Sequence, residues 1–503
     1  MLQAIKEAER QNMPFDALFP HQYAIRVDRT PTPEGWIGEE IGGFRLHRSP
    51  RLPRSKPETN AFGVEIIVLG IAVDDGVLVS DTTKLPFGPA SDWNAIERWA
   101  ERLAGRFIAL CRLGDDHRIY FDPSLELSCF YNPVTGNIGS SPYMALDRPM
   151  QTGRYIDSQD VISGTANFAL GITGDRDLRL ARPNHALCLN RYHLIRHWPR
   201  VADVAAGHDG DPDSTAFEIA TRLGATFGAL VQSYDALVPV TGGQDSRALI
   251  ASGRDHLGHV KAFFTHRTNY MTALDCLIAE QLGQALGFEV ALLDGVRLSE
   301  SEDLSHRVKQ EQDLFTLRTG RHCSVPGHHE LATREHLPDG QILLRGNVMD
   351  LNRANQWRGQ SSFRLAHMVR RMRLRAPEGI APATYWGREA GTWLDNLPDE
   401  AIPFAYDISF LENILPNTMG AMLNGITSYF TLNPFNDRHL ISRSMRVPPA
   451  LRREGALNAA IIKATVPGLA EIAYTQGIKR SPEARRAAEA LFPDPETATT
   501  DGA

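Results

Sequence analysis

Residues 237–253, LVPVTGGQDSRALIASG, join a short apolar run to a helical pattern through Thr241-Gly242-Gly243-Gln244-Asp245-Ser246. Two consecutive glycines let a backbone turn tightly and approach a ligand closely. The hydroxyls of Thr241 and Ser246, with the free N–H groups that open a helix, suit an anion such as a phosphate. No Lys-Ser or Lys-Thr pair follows the glycines, so this is not the Walker type of phosphate loop. Without a ligand the same residues would form an ordinary strand–turn–helix junction.

Working outward, Phe263-Phe264-Thr265 predicts the next strand and residues 273–287 the next helix. From Thr215 onward long helical patterns alternate with short apolar runs, as in an α/β domain. Before residue 205 the texture is mostly β. Strand-like runs at 65–72, 107–113, 118–121 and 185–189 are separated by turn dipeptides such as Asp75-Gly76, and one helix is expected at 93–103. Residues 203–214 (DVAAGHDGDPDS) lack apolar periodicity and read as a linker. The expected organisation is a β-rich domain over 1–205 with an extension of about sixty residues at its start, an α/β domain over 215–488 and a polar tail over 489–503.

The chain has 503 residues, 42% hydrophobic and 22% charged, with a net charge of −7. This is globular composition, and it gives no support to a nucleic-acid binder that works through bulk positive charge. No run reaches membrane-spanning length, and residues 1–13 lack the apolar centre of a signal peptide. Cys111, Cys129, Cys188, Cys276 and Cys323 form no CxxC pair and no zinc spacing, which reads as reduced thiols. A soluble, cytoplasmic protein is expected.

Several motifs in order resemble the asparagine synthetase family. The 241–246 loop is similar to the SGGxDS pyrophosphate loop, with Thr241 in place of the first Ser. Asp275 and Ala279 fall on that family's D-x-x-x-A helix, and Pro434, Phe435, Asp437 and Leu440 on its PF-x-D-x-x-L signature. In the β-rich part, LAGRF at 103–107, Asp122-Pro123, Phe130-Tyr131 and Ser140-Ser141 recur in the family's order. The resemblance covers roughly residues 60 to 480. It implies an α+β chain: an N-terminal-hydrolase-like β-sandwich followed by an α/β ATP-pyrophosphatase domain. It also implies ATP and Mg2+ as cofactors. The nucleotide would be held by Val240, Thr241, Gly242, Gly243, Gln244, Asp245, Ser246 and Thr265, and the metal by Asp245 and Asp350.

Three departures shape the expected chemistry. Glutaminase members of the family begin with a catalytic cysteine; here Leu2 stands second, and Cys111 lies inside an apolar run that disfavours a thiolate. In this the chain resembles β-lactam synthetases and lasso-peptide cyclases, which take an amine directly. The family's GEGxDE loop matches GNVMDL at 346–351, which keeps Asp350 but has Asn347 at the glutamate position and Leu351 at the second acid. Asn cannot accept a proton at neutral pH, so the base must lie elsewhere. Near the C-terminus YTQGIKRSP (474–482) matches the surroundings of a transition-state lysine, with Gln476 close to that position and Lys479 three residues on. The candidate catalytic residues are therefore Asp350, Lys479 and Asn347.

Other groups stay open. Arg345, Arg353 and Arg358 crowd the 346–351 loop and suit either phosphate or carboxylate recognition or a solvated basic loop. His322, Cys323, His328 and His329 are zinc-ligand types, but they flank a turn and could line an acceptor pocket. Glu311, Asp313 and Glu330 are candidate substitute bases or plain helix-surface acids. The resemblance implies an ATP-dependent ligase that adenylates a small-molecule or peptide carboxylate and joins it to an amine, without nucleic acid or membrane partners; a homodimer is entertained. The alternatives are a non-catalytic nucleotide-binding relative or a sulfur-transfer enzyme of the same nucleotide-binding group.

Overall fold

The computed structural model describes residues 1–59, 63–88, 91–151, 169–300, 303–321, 326–374 and 376–492. The chain is mixed α and β, with two larger antiparallel sheets, one parallel sheet and many helices. The longest antiparallel pairing joins Val64–Asp74 to Leu103–Leu113 along all eleven residues of each. Both strands are nearly continuous runs of apolar and small residues because both of their faces are covered. One face (Ile67, Leu69, Ile71, Ile108, Leu110) shares a core with Tyr23, Ile25 and Leu46 of the second antiparallel sheet. The other face (Ile66, Val68, Phe107, Ala109, Cys111) packs on Ile96, Trp99 and Ala100 of helix Trp93–Arg102. That helix starts where Asp92 accepts the Ala95 N–H at 3.0 Å.

The first sixty residues differ from the sequence expectation. They are not an extension apart from the sheets: Tyr23–Arg26, Ile37–Ile41 and Phe44–Arg48 are three strands of the six-stranded sheet. IGEEI and FRLHR carry charges on their outward positions and are only five residues long, so they lack an apolar run to announce them. The 203–214 stretch is also more fastened than a linker. His208 Nδ1 lies 3.0 Å from the Met445 carbonyl, Gly210 N–H donates to the Arg446 carbonyl, and Asp211 caps helix Pro212–Ser233. Helix Pro482–Ala490 runs into the expected tail, whose residues 493–503 lie outside the described set.

The parallel sheet holds five strands: Ala236–Pro239, Ala262–Arg267, Val290–Asp294, Ile342–Leu344 and Phe430–Leu432. In chain order their spatial sequence is 3-2-1-4-5, with every pairing parallel. A single apolar cluster runs from Tyr23 and Ile71 of the antiparallel sheets to Val238 and Leu344 of this one. No helix among the described residues is long and apolar enough to cross a membrane.

Candidate functional site

Strand 1 of the parallel sheet lies between strands 2 and 4, so the chain leaves it toward one side and returns on the other. At such a switch point the loops beyond the strand ends part and open a crevice, the usual ligand site of an open α/β sheet. Two segments border it here. One is 240–243, leading into helix Gln244–Ser252; the other is Arg345-Gly346, leading into the turn Asn347–Arg353. Both came from the sequence reading, and the structure brings them together.

The glycine loop is clamped from three directions. Val240 N–H donates to the Phe264 carbonyl at 2.8 Å, while Thr241 Oγ1 and Ser246 Oγ meet at 2.8 Å across the loop. Gly242 N–H donates to Asp275 Oδ1 at 3.0 Å, and the Thr475 hydroxyl donates to the same oxygen at 2.5 Å. A Cβ on Gly242 would fall 2.0 Å from Thr475 Oγ1 and 2.7 Å from Ile278 Cδ1, so only glycine fits. Asp275 thus ties the loop to the 475 segment, and Ala279, one turn further along its helix, is buried in the core. Helix Gln244–Ser252 begins at Gly243 with no side-chain cap, which leaves its first-turn N–H groups without a side-chain partner.

The charged centre is formed by Asp245, Asp350 and Arg353. Arg353 Nη2 lies 2.7 Å from Asp245 Oδ2 and also bonds Asp350. Asn458 Nδ2 donates to Asp245 Oδ1 at 3.0 Å, and Asn355 Nδ2 to Asp350 at 3.1 Å. Behind Asn458, Asn352 Nδ2 donates to its carbonyl at 2.8 Å and Ser444 in turn donates to Asn352. Burial pushes the Asp245 carboxyl up to about 6, against the pull of Arg353 and with a further push from Asp350. Burial raises Asp350 as well. Gly346 packs on this centre, since a Cβ there would lie 3.3 Å from the Asp245 backbone. Asn458 escaped the sequence reading because it comes from helix Ala456–Thr465, with no local signal linking it to the loop.

Asn347 is fixed through its backbone. Its N–H donates to Asn433 Oδ1 at 3.0 Å, and Asn433 Nδ2 donates to Glu126 Oε1 at 2.5 Å. Glu126 belongs to the antiparallel part, where burial and the nearby Asp122 hold its carboxyl well above the usual range. Asp122 accepts the N–H groups of Ser124 and Glu126 and the Asn436 amide, at 3.1, 2.9 and 2.9 Å. Asn424 Nδ2 donates to the Glu126 carbonyl and to Ser128 Oγ, and Arg106 Nη2 donates to Asn424. The 434–440 signature does structural work in this seam. Phe435 and Leu440 are buried, and Asp437 caps helix Arg438–Arg446 while pairing with Arg222.

Beside the switch point lies a cavity of about 220 Å³. Pro239, Phe264, His266, Leu343 and Arg345 of the sheet side line it, together with Glu330, Arg334, Met422 and Tyr429 from the elements above. A larger cleft of about 470 Å³ sits at the seam instead, and several of the arginines that line it are already engaged. Arg102 pairs with Asp74, Arg222 with Asp75, and Arg446 with Asp209, at 2.8, 2.8 and 2.9 Å.

The remaining candidates divide. Lys479 is exposed and donates to Gln476 Oε1 at 2.7 Å, bonded to neither aspartate. The Thr265 hydroxyl faces Cys276 Sγ at 3.9 Å, on the helix side of the sheet. Gln244 Oε1 is buried without a partner, its amide packed over Gly455. His322 and Cys323 lie outside the described residues, while His328 and His329 meet Ser305 and Ser299 at 3.2 and 2.8 Å. Among the described residues no group of three or more His, Cys, Asp or Glu could hold a metal. Asp313 pairs with Lys309 and Glu311 lies 3.8 Å from Arg318, so of the candidate bases only Glu330 lines the cavity. Cys111, Cys129, Cys188 and Cys276 are buried, and burial raises the thiol of Cys111 and pushes those of Cys129 and Cys276 up to about 12.

No known family model matches the chain, and no curated protein gives a significant match.

Proposed function

We propose that the chain is an ATP-dependent, AMP-forming ligase similar to the asparagine synthetase family, which activates a carboxylate and joins it to an amine. The antiparallel part would be an N-terminal-hydrolase-like scaffold without glutaminase activity, and the parallel part the ATP-pyrophosphatase domain. One observation carries this reading: the 241–246 loop and the 346–353 turn flank one switch point, with Asp245 and Asp350 converging on a single cationic nitrogen. Two carboxylates that share one cation suit Mg2+, which keeps most of its remaining ligands as water and substrate phosphate oxygens. Asp245 and Asp350 would hold it. Bound there, the metal would supply charge neutralisation for the pyrophosphate leaving group.

The chain's own residues would do the positioning. The first-turn N–H groups of helix Gln244–Ser252 and the hydroxyls of Thr241 and Ser246 would receive phosphate oxygens. Asp275 and Thr475 hold that loop in one shape, so little reorganisation accompanies binding. Lys479, carried by the segment that begins at Thr475, would supply a mobile cation from the solvent side. Asn347 has no proton-accepting group, so proton removal from the amine would fall to Glu330 or to the substrate itself.

A non-catalytic nucleotide-binding relative is the second reading. It is favoured by Asn347 and by the guanidinium of Arg353 between the two carboxylates. Pyrophosphate exchange into ATP, promoted by a carboxylic acid, separates the two: exchange supports the ligase, while nucleotide binding without exchange against a broad acid panel supports the second reading.

A further inference from the structure

We propose that the cavity beside Arg345 is the carboxylate-substrate pocket, and that it takes a small monocarboxylic acid with an apolar body, anchored on the Arg345 guanidinium. This rests on the ligase reading and deepens it. Along strand 4, side chains alternate: Ile342 and Leu344 are buried in the main core, while Leu343 and Arg345 turn to the cavity. Arg345 thus brings a permanent positive charge to a wall that also holds Phe264, Leu343 and Met422. Among the described residues its guanidinium has no hydrogen bond and no ion pair; only its backbone N–H is engaged, to the Leu432 carbonyl at 3.0 Å. A half-buried guanidinium that faces a cavity without a counter-ion is open to an anion, and a carboxylate matches its paired donors.

The surroundings select the rest of the ligand. Glu330 also lines the cavity; its Oε2 accepts the Gly327 N–H at 3.0 Å, and the carboxylate would repel a second acid group placed beside it. Tyr429 turns its hydroxyl away to the Pro338 carbonyl at 2.9 Å, which leaves its ring for the cavity. At about 220 Å³ the space is smaller than the ~300–1,000 Å³ typical of drug-sized ligands, so the body is metabolite-sized. Arg345 directly precedes Gly346, which packs on the Asp245 backbone, so an anchored acid sits at the mouth of the nucleotide crevice.

The test uses the full chain without nucleotide and calorimetric titration with 3-phenylpropanoate, hexanoate, succinate and 3-phenylpropanamide. Saturable binding of an apolar acid is expected, with the neutral amide and succinate each weaker by about tenfold or more, the worth of one charge-assisted pair. Arg345→Met should lose binding by a similar factor, and Arg345→Lys should recover part of it. Met422→Trp should block binding by filling the cavity while leaving Arg345 in place. Absence of binding by every acid, or equal binding by wild type and Arg345→Met, overturns the pocket. Binding with the expected pattern but no pyrophosphate exchange would sink the ligase reading alone. Exchange promoted by an apolar acid with unchanged KM in Arg345→Met would sink the pocket alone.

Discussion

Arg353 Nη2 lies 2.7 Å from Asp245 Oδ2, and the same nitrogen holds Asp350. Two carboxylates from different loops are thereby kept side by side. Arg353 is 38% exposed, and ion pairs at such sites contribute only about 1 kcal/mol or less. The guanidinium holds the two acids in register yet can be exchanged for another cation at small cost.

Replacing it should therefore expose the site. Arg353→Met is expected to change folding stability by no more than about 1 kcal/mol. It should also tighten Mn2+ or Mg2+ binding in the absence of nucleotide by about tenfold, because two acids are left without a cation. Calorimetric metal titration of both proteins decides it, and equal affinities would remove the shared cation position.

The pH response of Asp245 has a definite sign. Its folded value, about 6, lies above the ordinary 3.8, so the folded chain holds the proton more tightly than the unfolded chain does. Stability from this group is full below about pH 4 and declines as pH rises toward 6, by at most about 3 kcal/mol. Asp245→Asn should flatten that decline relative to wild type in urea unfolding at a series of pH values. A parallel pair of curves would contradict the buried acid.

On the proposed ligase reading, Asp350 and Asn347 should separate adenylation from amine attack. Asp350→Asn is expected to abolish pyrophosphate exchange, since leaving-group charge goes unneutralised. Asn347→Asp should leave exchange within about tenfold, because only the Asn347 backbone is used structurally and one side-chain hydrogen bond is worth about 1.4 kcal/mol or less. Full exchange in Asp350→Asn would show that residues 346–351 are not the counterpart of the family loop.

Asn433 should prove the joint between the two parts of the chain. Asn433→Ala removes the side-chain partners of Glu126 Oε1 and of the Asn347 N–H together, leaving Glu126 only the backbone N–H of residue 433, with an expected loss of about 2–4 kcal/mol. Hydrogen exchange at the Asn347 amide should accelerate in the variant. A loss in stability without faster exchange there would place the damage elsewhere.

Glutamine should not serve as nitrogen donor. The four described cysteines are buried, and three of their thiols are raised by burial, which disfavours an attacking thiolate among the described residues. Enzyme-dependent glutamate release from glutamine, with or without ATP, would refute the proposed scaffold role of the antiparallel part.

What could be read from the sequence followed local signals. Strand, glycine turn and helix at 236–252 were legible because an apolar run ends abruptly in two glycines and resumes with helical spacing. The 346–353 turn was legible through Asp350 and its following arginines, but which arginine bridged to Asp245 was not. That depends on the turn Asn347–Arg353, which projects Arg353 back over Asp350. Asn458, Asn433 and Glu126 were invisible, because each acts through a partner at least 86 residues away in the chain. Lys479 was read from its neighbours in sequence, yet the one-turn helix Thr475–Ile478 points Thr475 inward and leaves Lys479 in solvent.

Tyr23–Arg26 lies in the interior of the six-stranded sheet, between Phe44–Arg48 and Ile138–Gly139. A truncation that starts the chain at residue 60, where the apolar strands become obvious, would strip three strands from this sheet at once. Ile138 and Gly139 would then form a bare edge beside an uncovered apolar surface of Phe130 and Leu180. Such an edge is a template for pairing between molecules. The shortened chain should therefore accumulate as aggregate in the cell, and its insolubility would say nothing about whether the downstream part can bind a nucleotide.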